Sequence, residues 1–217
     1  MFFPTPTQPP DWSAAIKHLR RDAKLRRYIA AVGPCTLIPR DNPFVMLVRS
    51  IYSQQISTTI AATLYGRFAG RFPRKTPTPR RVVAALSGGW DDATIRHVGL
   101  SRQKREYVLD LARHFEDGRI KPKLLYKMDD PAVIETLTRV KGIGRWTAEM
   151  FLIFVLNRPD VLPVDDLGLR EGVRRLYGLA ERPRPQTVRE IAEPWTPWRS
   201  IATWYIWRGM SALKSEN

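Results

Sequence analysis

The chain has 217 residues, with 36 Lys and Arg against 21 Asp and Glu, a formal charge of +15. A chain this long can bury a sizeable core, and a charge this large favours a polyanionic partner with fast, salt-dependent association. The single cysteine, Cys35, excludes an internal disulfide, and no apolar run is long enough to span a bilayer. Met1–Pro10 lacks the basic start and apolar stretch of a signal peptide. The expected location is therefore cytoplasmic, at the nucleoid if the source is bacterial.

Apolar residues at helical spacing dominate, and strand signals are weak. Asp11–Val32 reads as one amphipathic lead-in helix with Trp12, Ile16, Leu19, Leu25 and Ile29 on its apolar side. Pro34–Asp41 is a connector. Phe44–Phe68 forms one long helix or two short ones, with a break around Ser53–Ser57. Arg71–Arg80 is a basic, proline-rich loop, either a phosphate contact or an exposed linker. A helix begins over Arg81–Leu86. Another covers Leu100–Phe115, capped by Ser101, with Lys104 and Arg105 read as solvent-exposed.

The richest stretch runs from Leu137 to Arg170. Val133, Ile134, Leu137 and Val140 recur at helical spacing, with Pro131 suited to the first turn and Asp129 or Asp130 as the cap. Lys141-Gly142-Ile143-Gly144 breaks that helix. Its two glycines permit a sharp turn and a close approach, and Ile143 pins the turn to the core. The helix restarts at Trp146–Val155, where Ala148, Phe151, Leu152 and Val155 form a buried face. The unpartnered N–H groups of a helix start make an anion site. Read without its neighbours, the same pattern is equally a tight helical hairpin. Asp165 and Asp166 then open a helix over Leu167–Tyr177, as caps or as chemistry. A short helix over Val188–Ala192 and a long one over Arg199–Leu213 complete the chain, and four of the seven tryptophans fall between Trp195 and Trp207.

Three stretches together carry a resemblance: VRSIYSQQISTTIAA (48–62), GIGRWTAEMF (142–151) continuing to LPVDD (162–166), and WTPWRSIATWYIW (195–207). They resemble the helix-hairpin-helix DNA glycosylase superfamily, and within it the 3-methyladenine DNA glycosylase II branch. The resemblance spans about Pro43–Gly209. It implies an all-α fold of two helical lobes with a DNA-binding cleft, without the N-terminal β-rich domain of the larger bacterial relative. One lobe is expected over 44–165, including the hairpin 133–157, and the other from 1–43 plus 166–217, the whole of 1–217 forming a single glycosylase unit.

The implied activity is hydrolysis of the N-glycosidic bond of alkylated bases, such as 3-methyladenine and 7-methylguanine, in double-stranded DNA, leaving an abasic site. The resemblance maps the catalytic carboxylate onto Asp166 and leaves Asp165 as helix cap or support, although spacing alone does not separate the two. It places Trp146 and Trp207 in the base pocket. Met150, Trp204 and Tyr205 are further candidates, with core packing as the other reading of the aromatic residues. The wedge that fills the gap left by a flipped base falls in Gln54-Gln55-Ile56, with Gln55 foremost. The phosphate-binding set is Lys141, Gly142, Gly144, Arg145, Thr147 and Arg199, the last also a candidate helix cap.

Bifunctional members resemble one another in carrying a lysine at the position of Trp146. Its absence implies no Schiff base and no strand cutting. With one cysteine, the four-cysteine iron–sulfur cluster of some relatives is also excluded. No cofactor and no catalytic metal are expected, although the resemblance allows a structural monovalent cation on the hairpin carbonyls. A monomer is expected. Two other readings compete: a non-catalytic hairpin DNA-binding protein, and a glycosylase of another branch acting on oxidised or mismatched bases.

Overall fold

A computed structural model describes residues 8–40 and 42–212. The signal-peptide expectation for residues 1–7, the connector's last residue Asp41 and the final helix's last residue Leu213 lie outside the described residues. Among the described residues there are helices and turns and no strand, and no helix is long and apolar enough to cross a membrane. The chain divides into two compact units, one formed by 8–39 with 152–212, the other by Arg40–Phe151. The second division falls at Phe151 rather than at Asp165, inside a helix that runs on without a break.

The first unit begins with α1 (Ser13–Leu19) and α2 (Leu25–Val32), two helices where the sequence suggests one. Asp22 causes the break: its Oδ1 accepts from the backbone N–H groups of Lys24 and Leu25 at 2.9 and 3.1 Å, a local alternative to the helical ladder. Trp12, Leu19, Leu25 and Ile29 are buried as expected.

The Arg40–Phe151 unit contains α3 (Pro43–Ser53), α4 (Thr58–Gly70), α5 (Pro79–Ala84), α6 (Asp92–His97), α7 (Arg102–Glu116), α8 (Pro122–Leu125), α9 (Asp130–Thr138) and most of α10 (Arg145–Phe154). The break between α3 and α4 falls at the expected place, and Ser57 caps α4 through Ile60 N–H. Helix α7 packs on α3 and α5. Tyr52, Phe72 and Trp90 pack tilted or edge-on around Phe68, with centroids 5.1–5.8 Å from it. In the basic loop Arg71 lies over the Trp90 ring at 5.9 Å, so that cation is part of the packing.

The chain then returns to the first unit with α11 (Leu167–Tyr177), α12 (Pro185–Ala192) and α13 (Arg199–Ala212). Helix α13 is buried along most of its length and packs on α2 and α11. Glycines allow both approaches. A Cβ at Gly209 would come within 2.3 Å of the Tyr28 ring, and one at Gly172 within 2.2 Å of Ile206. Trp195 is fully buried, with its Nε1–H donated to Asp22 Oδ2 at 3.0 Å.

Candidate functional site

In the Arg40–Phe151 unit, α9 and α10 flank the turn Lys141–Gly144. Asp129, not Asp130, caps α9, accepting from Ala132 N–H at 2.8 Å. Ile143 is buried and pins the turn. The two glycines differ. Gly142 has φ +78°, and a Cβ there would lie 2.1 Å from the Tyr107 ring, so the fold itself requires glycine. Gly144 has neither a left-handed φ nor any atom within 4 Å of an added Cβ. Internal packing therefore gives no reason for its bare backbone at the start of α10, and the space beside it is open.

Segment 54–57 is tied to this turn. Gln54 Nε2 donates to the Gly142 carbonyl at 2.8 Å, and Lys104 Nζ donates to the carbonyls of Tyr52 and Gln54 at 2.8 and 2.9 Å. Burial lowers the Lys104 ammonium from its usual range. Gln55 is exposed with φ +61°, a conformation uncommon for a non-glycine residue. Of the three wedge candidates, Gln54 is thus a strut, Ile56 is half-buried, and Gln55 projects to solvent. Lys104 is a correction to the sequence reading: it caps the end of α3. Arg105 is another, since it donates to the Leu86 carbonyl at 2.9 Å.

The residues expected to hold phosphate separate in the structure. Lys141 is exposed and paired with Glu106, which raises the ammonium pKa, while its N–H bonds Asp110. Arg145 Nε bonds Glu149 Oε1 at 2.9 Å. Thr147 is buried in the first turns of α10, which removes its side chain from a phosphate-contacting surface. Arg199 belongs to the first unit, where its guanidinium grips both Asp160 oxygens at 2.7 Å. That ion pair raises the guanidinium pKa and fastens the loop before Asp166 to α13, so Arg199 is a structural clamp. Trp146 is 45% exposed, a large aromatic face open to solvent, whereas Met150 is buried.

The carboxylate pair lies in the first unit. A turn closed by Asp166 N–H to the Pro163 carbonyl at 2.9 Å leads into α11. Asp166, not Asp165, is the N-cap: its Oδ1 accepts from Leu169 N–H at 2.5 Å, while Asp165 is exposed one residue too early to cap. The same Oδ1 accepts from Trp207 Nε1 at 2.9 Å. Trp207 in turn stacks on Phe154, with centroids 5.8 Å apart and planes 19° apart. Trp204 and Tyr205 are core residues. Tyr205 is fully buried, donates its hydroxyl to the Gly33 carbonyl at 3.0 Å, and has its phenol pushed up to about 12 by burial.

Two neighbours were missed from the sequence. Phe154 carried no motif. Gly168 did carry a signal, as an isolated glycine inside a helix: a Cβ there would stand 3.1 Å from Asp166 Oδ1 and 3.4 Å from Trp207 Nε1. No cluster of three His, Cys, Asp or Glu side chains suited to a metal occurs among the described residues. A cation at the hairpin would need backbone carbonyls, of which that of Gly142 accepts from Gln54 and that of Val140 from Ile143.

Residues 48–197 match the family described as HhH-GPD superfamily base excision DNA repair protein. The alkylbase DNA glycosidase-like protein mag2 of Schizosaccharomyces pombe is 31% identical over 204 residues, covering 91% of this chain and 93% of that one. Two solved structures are similar. The S. pombe 3-methyladenine DNA glycosylase in complex with abasic DNA aligns with TM-score 0.78 and 33% identity over 90% of this chain and 95% of that one. The DNA-3-methyladenine glycosidase of Bacillus halodurans aligns with TM-score 0.80 and 34% identity over 94% and 92%.

Proposed function

The chain belongs to the HhH-GPD superfamily of base excision DNA repair proteins, and on that premise we propose that it is a monofunctional DNA glycosylase for alkylated bases. It binds double-stranded DNA and hydrolyses the bond between C1′ and the base nitrogen, leaving an abasic site. The observation that carries this reading is the Asp166 carboxylate, oriented through Oδ1 by Leu169 N–H and Trp207 Nε1–H. A carboxylate whose direction is fixed in advance can stabilise positive charge without reorganising.

Alkylation at a ring nitrogen makes the base cationic. When the C1′–N bond breaks, its electron pair leaves with the base, which departs neutral. The sugar becomes an oxocarbenium-like cation, by analogy with glycoside hydrolysis. The Asp166 carboxylate stabilises that charge and orients a water, which adds to C1′ and passes its proton to that carboxylate. A leaving group already charged needs no acid catalyst, in keeping with one key carboxylate.

The target base must first leave the stack. Gln55, exposed beside the Gln54 strut, fills the gap. The Trp207 ring, beside Asp166 in the same unit, attracts an electron-poor base through its face. Backbone N–H groups at the start of α10, reached past Gly144, hold a DNA phosphate, and the +15 charge supplies general attraction. With tryptophan at position 146 there is no amine for a Schiff base there, so the product strand stays intact.

The test is base release from duplexes bearing 3-methyladenine, 7-methylguanine, 1-methyladenine, ethenoadenine, hypoxanthine or 8-oxoguanine, read as strand breaks after alkali. Alkylated duplexes should yield breaks only after alkali. Breaks without alkali would contradict the monofunctional assignment, and no release from any duplex would leave a binding protein without catalysis.

A further inference from the structure

Within the Arg40–Phe151 unit, Arg40, α3 and α4 line a half-open pocket of about 250 Å³ that none of the roles above uses. Its volume is below the range usual for drug-sized ligands, about 300–1,000 Å³. Met46, Ala61 and Tyr65 give it an apolar side, and Arg40, Arg49 and Thr58 give it a cationic and hydroxyl-bearing one. No Asp or Glu lines it among the described residues. Arg49 is exposed, and its guanidinium lies over the Tyr65 ring, 5.2 Å from the centroid.

Arg40 also reaches solvent, yet protein atoms crowd its guanidinium. That desolvation, together with the nearby Arg49 charge, lowers its pKa from the usual range. An anion in the pocket is attracted by the exposed Arg49 guanidinium. Thr58 opens the thirteen-residue helix α4, whose N-terminal end adds positive potential. Ser50 and Ser53 give their hydroxyl protons to the carbonyls of Met46 and Arg49 at 3.1 and 2.7 Å. Arg49 and Thr58 are the side chains through which the pocket would hold an anion.

We propose that this pocket is a phosphate-binding site anchored by Arg49. A planar guanidinium presents paired N–H donors matched to phosphate oxygens. Ser53 and Thr58, on the pocket wall, bracket segment 54–57 in the chain. In the DNA-bound protein the occupant is a backbone phosphate close to the wedge; this step rests on the proposed DNA reading. A free phosphate has the same chemistry and is the other source.

Two binding measurements on the full chain test the proposal. In the first, an undamaged duplex is titrated between about 50 and 200 mM salt with wild type, Arg49→Gln and Arg113→Gln. The last variant removes an exposed cation outside the pocket. Loss of one phosphate contact should make the slope of log K against log salt shallower by about 0.9 for Arg49→Gln, with a smaller change for Arg113→Gln. In the second, inorganic phosphate is titrated calorimetrically into wild type and Arg49→Gln, with at least about a tenfold weakening expected, equivalent to about 1.4 kcal/mol.

Both effects together support a DNA phosphate in the pocket. Weaker inorganic phosphate binding with an unchanged slope supports the site and overturns DNA as its source. Equal slope changes in the two variants also overturn DNA as its source. No effect of Arg49→Gln in either titration overturns the site. Thermal midpoints equal to wild type establish that the variants are folded. The duplex carries no damage and the second titration no DNA, so failure to release alkylated bases would sink the proposed activity and leave these outcomes readable.

Discussion

Trp207 Nε1 and Leu169 N–H converge on one oxygen, Asp166 Oδ1, at 2.9 and 2.5 Å. One carboxylate thereby caps α11 and is aimed by an indole from α13. The two duties separate by substitution. Asparagine keeps an oxygen for the cap and removes the charge, so Asp166→Asn should hold its thermal midpoint near wild type while base release falls about 100-fold or more. Asp166→Ala should lose both, with a stability cost of about 1 kcal/mol. Asp165→Asn, at an exposed non-capping position, should change neither by much. Equal loss of release in Asp165→Asn and Asp166→Asn would refute the assignment to Asp166.

Trp207→Phe keeps a ring to stack on Phe154 and removes the donor to Oδ1. Base release should fall about tenfold or more, a hydrogen bond to a charged group being worth roughly 1.5–3 kcal/mol net. Single-turnover kinetics on a 3-methyladenine duplex would check it. A fall in duplex affinity with an unchanged chemical rate would show that the indole serves binding and not the carboxylate.

The hairpin glycines should respond oppositely. Gly142→Ala forces a left-handed φ on a side chain and drives its Cβ into Tyr107, so we expect a loss of roughly 1–3 kcal/mol in denaturant unfolding. Gly144→Ala meets nothing and should cost at most about 1 kcal/mol, yet weaken duplex binding by covering the start of α10. Unaltered duplex affinity in Gly144→Ala would remove phosphate holding from that position.

The difference between these glycines marks how far the sequence could be read. The hairpin, the break after Ser53, the acidic pair and the aromatic cluster near the C-terminus were legible because helical period and turn residues are local signals. The roles of Arg199, Lys104 and Tyr205 were not. Each is set by a partner distant in the chain, namely Asp160, the Tyr52 and Gln54 carbonyls, and Gly33. A basic or aromatic residue in a suggestive stretch looks the same from sequence whether it faces a ligand or a carbonyl. Spacing likewise did not separate Asp165 from Asp166 as helix cap, which the bond from Leu169 N–H assigns to Asp166.

Lys104 holds the carbonyl end of α3 from which the wedge segment starts. Lys104→Met leaves the Tyr52 and Gln54 carbonyls without this donor, at a cost of about 1–3 kcal/mol, or roughly 2–12 °C in the thermal midpoint for a chain this long. It should also slow base flipping. A 2-aminopurine placed opposite the lesion would report this as a slower fluorescence rise than in wild type. A normal rise in a destabilised variant would confine Lys104 to stability.

Asp22 gives the clearest expected dependence on pH. Burial raises the pKa of this carboxyl, but hydrogen bonds from Tyr177, Trp195 and the backbone of Leu25 and Lys24 outweigh it and leave the pKa below the ordinary value. A carboxyl depressed in the folded state adds stability that is fully present above its unfolded pKa of about 3.9 and is lost as pH falls through the lower folded value. Asp22→Asn should therefore be less stable than wild type at neutral pH by about 1 kcal/mol, a modest figure because the group is partly exposed. The gap should hold down to about pH 5, then narrow from about pH 4 downward. Paired thermal melts of the two proteins across that range decide it. A gap that stays constant in acid would mean the Asp22 hydrogen bonds do not favour its ionised form, and would assign the break between α1 and α2 to its geometry alone.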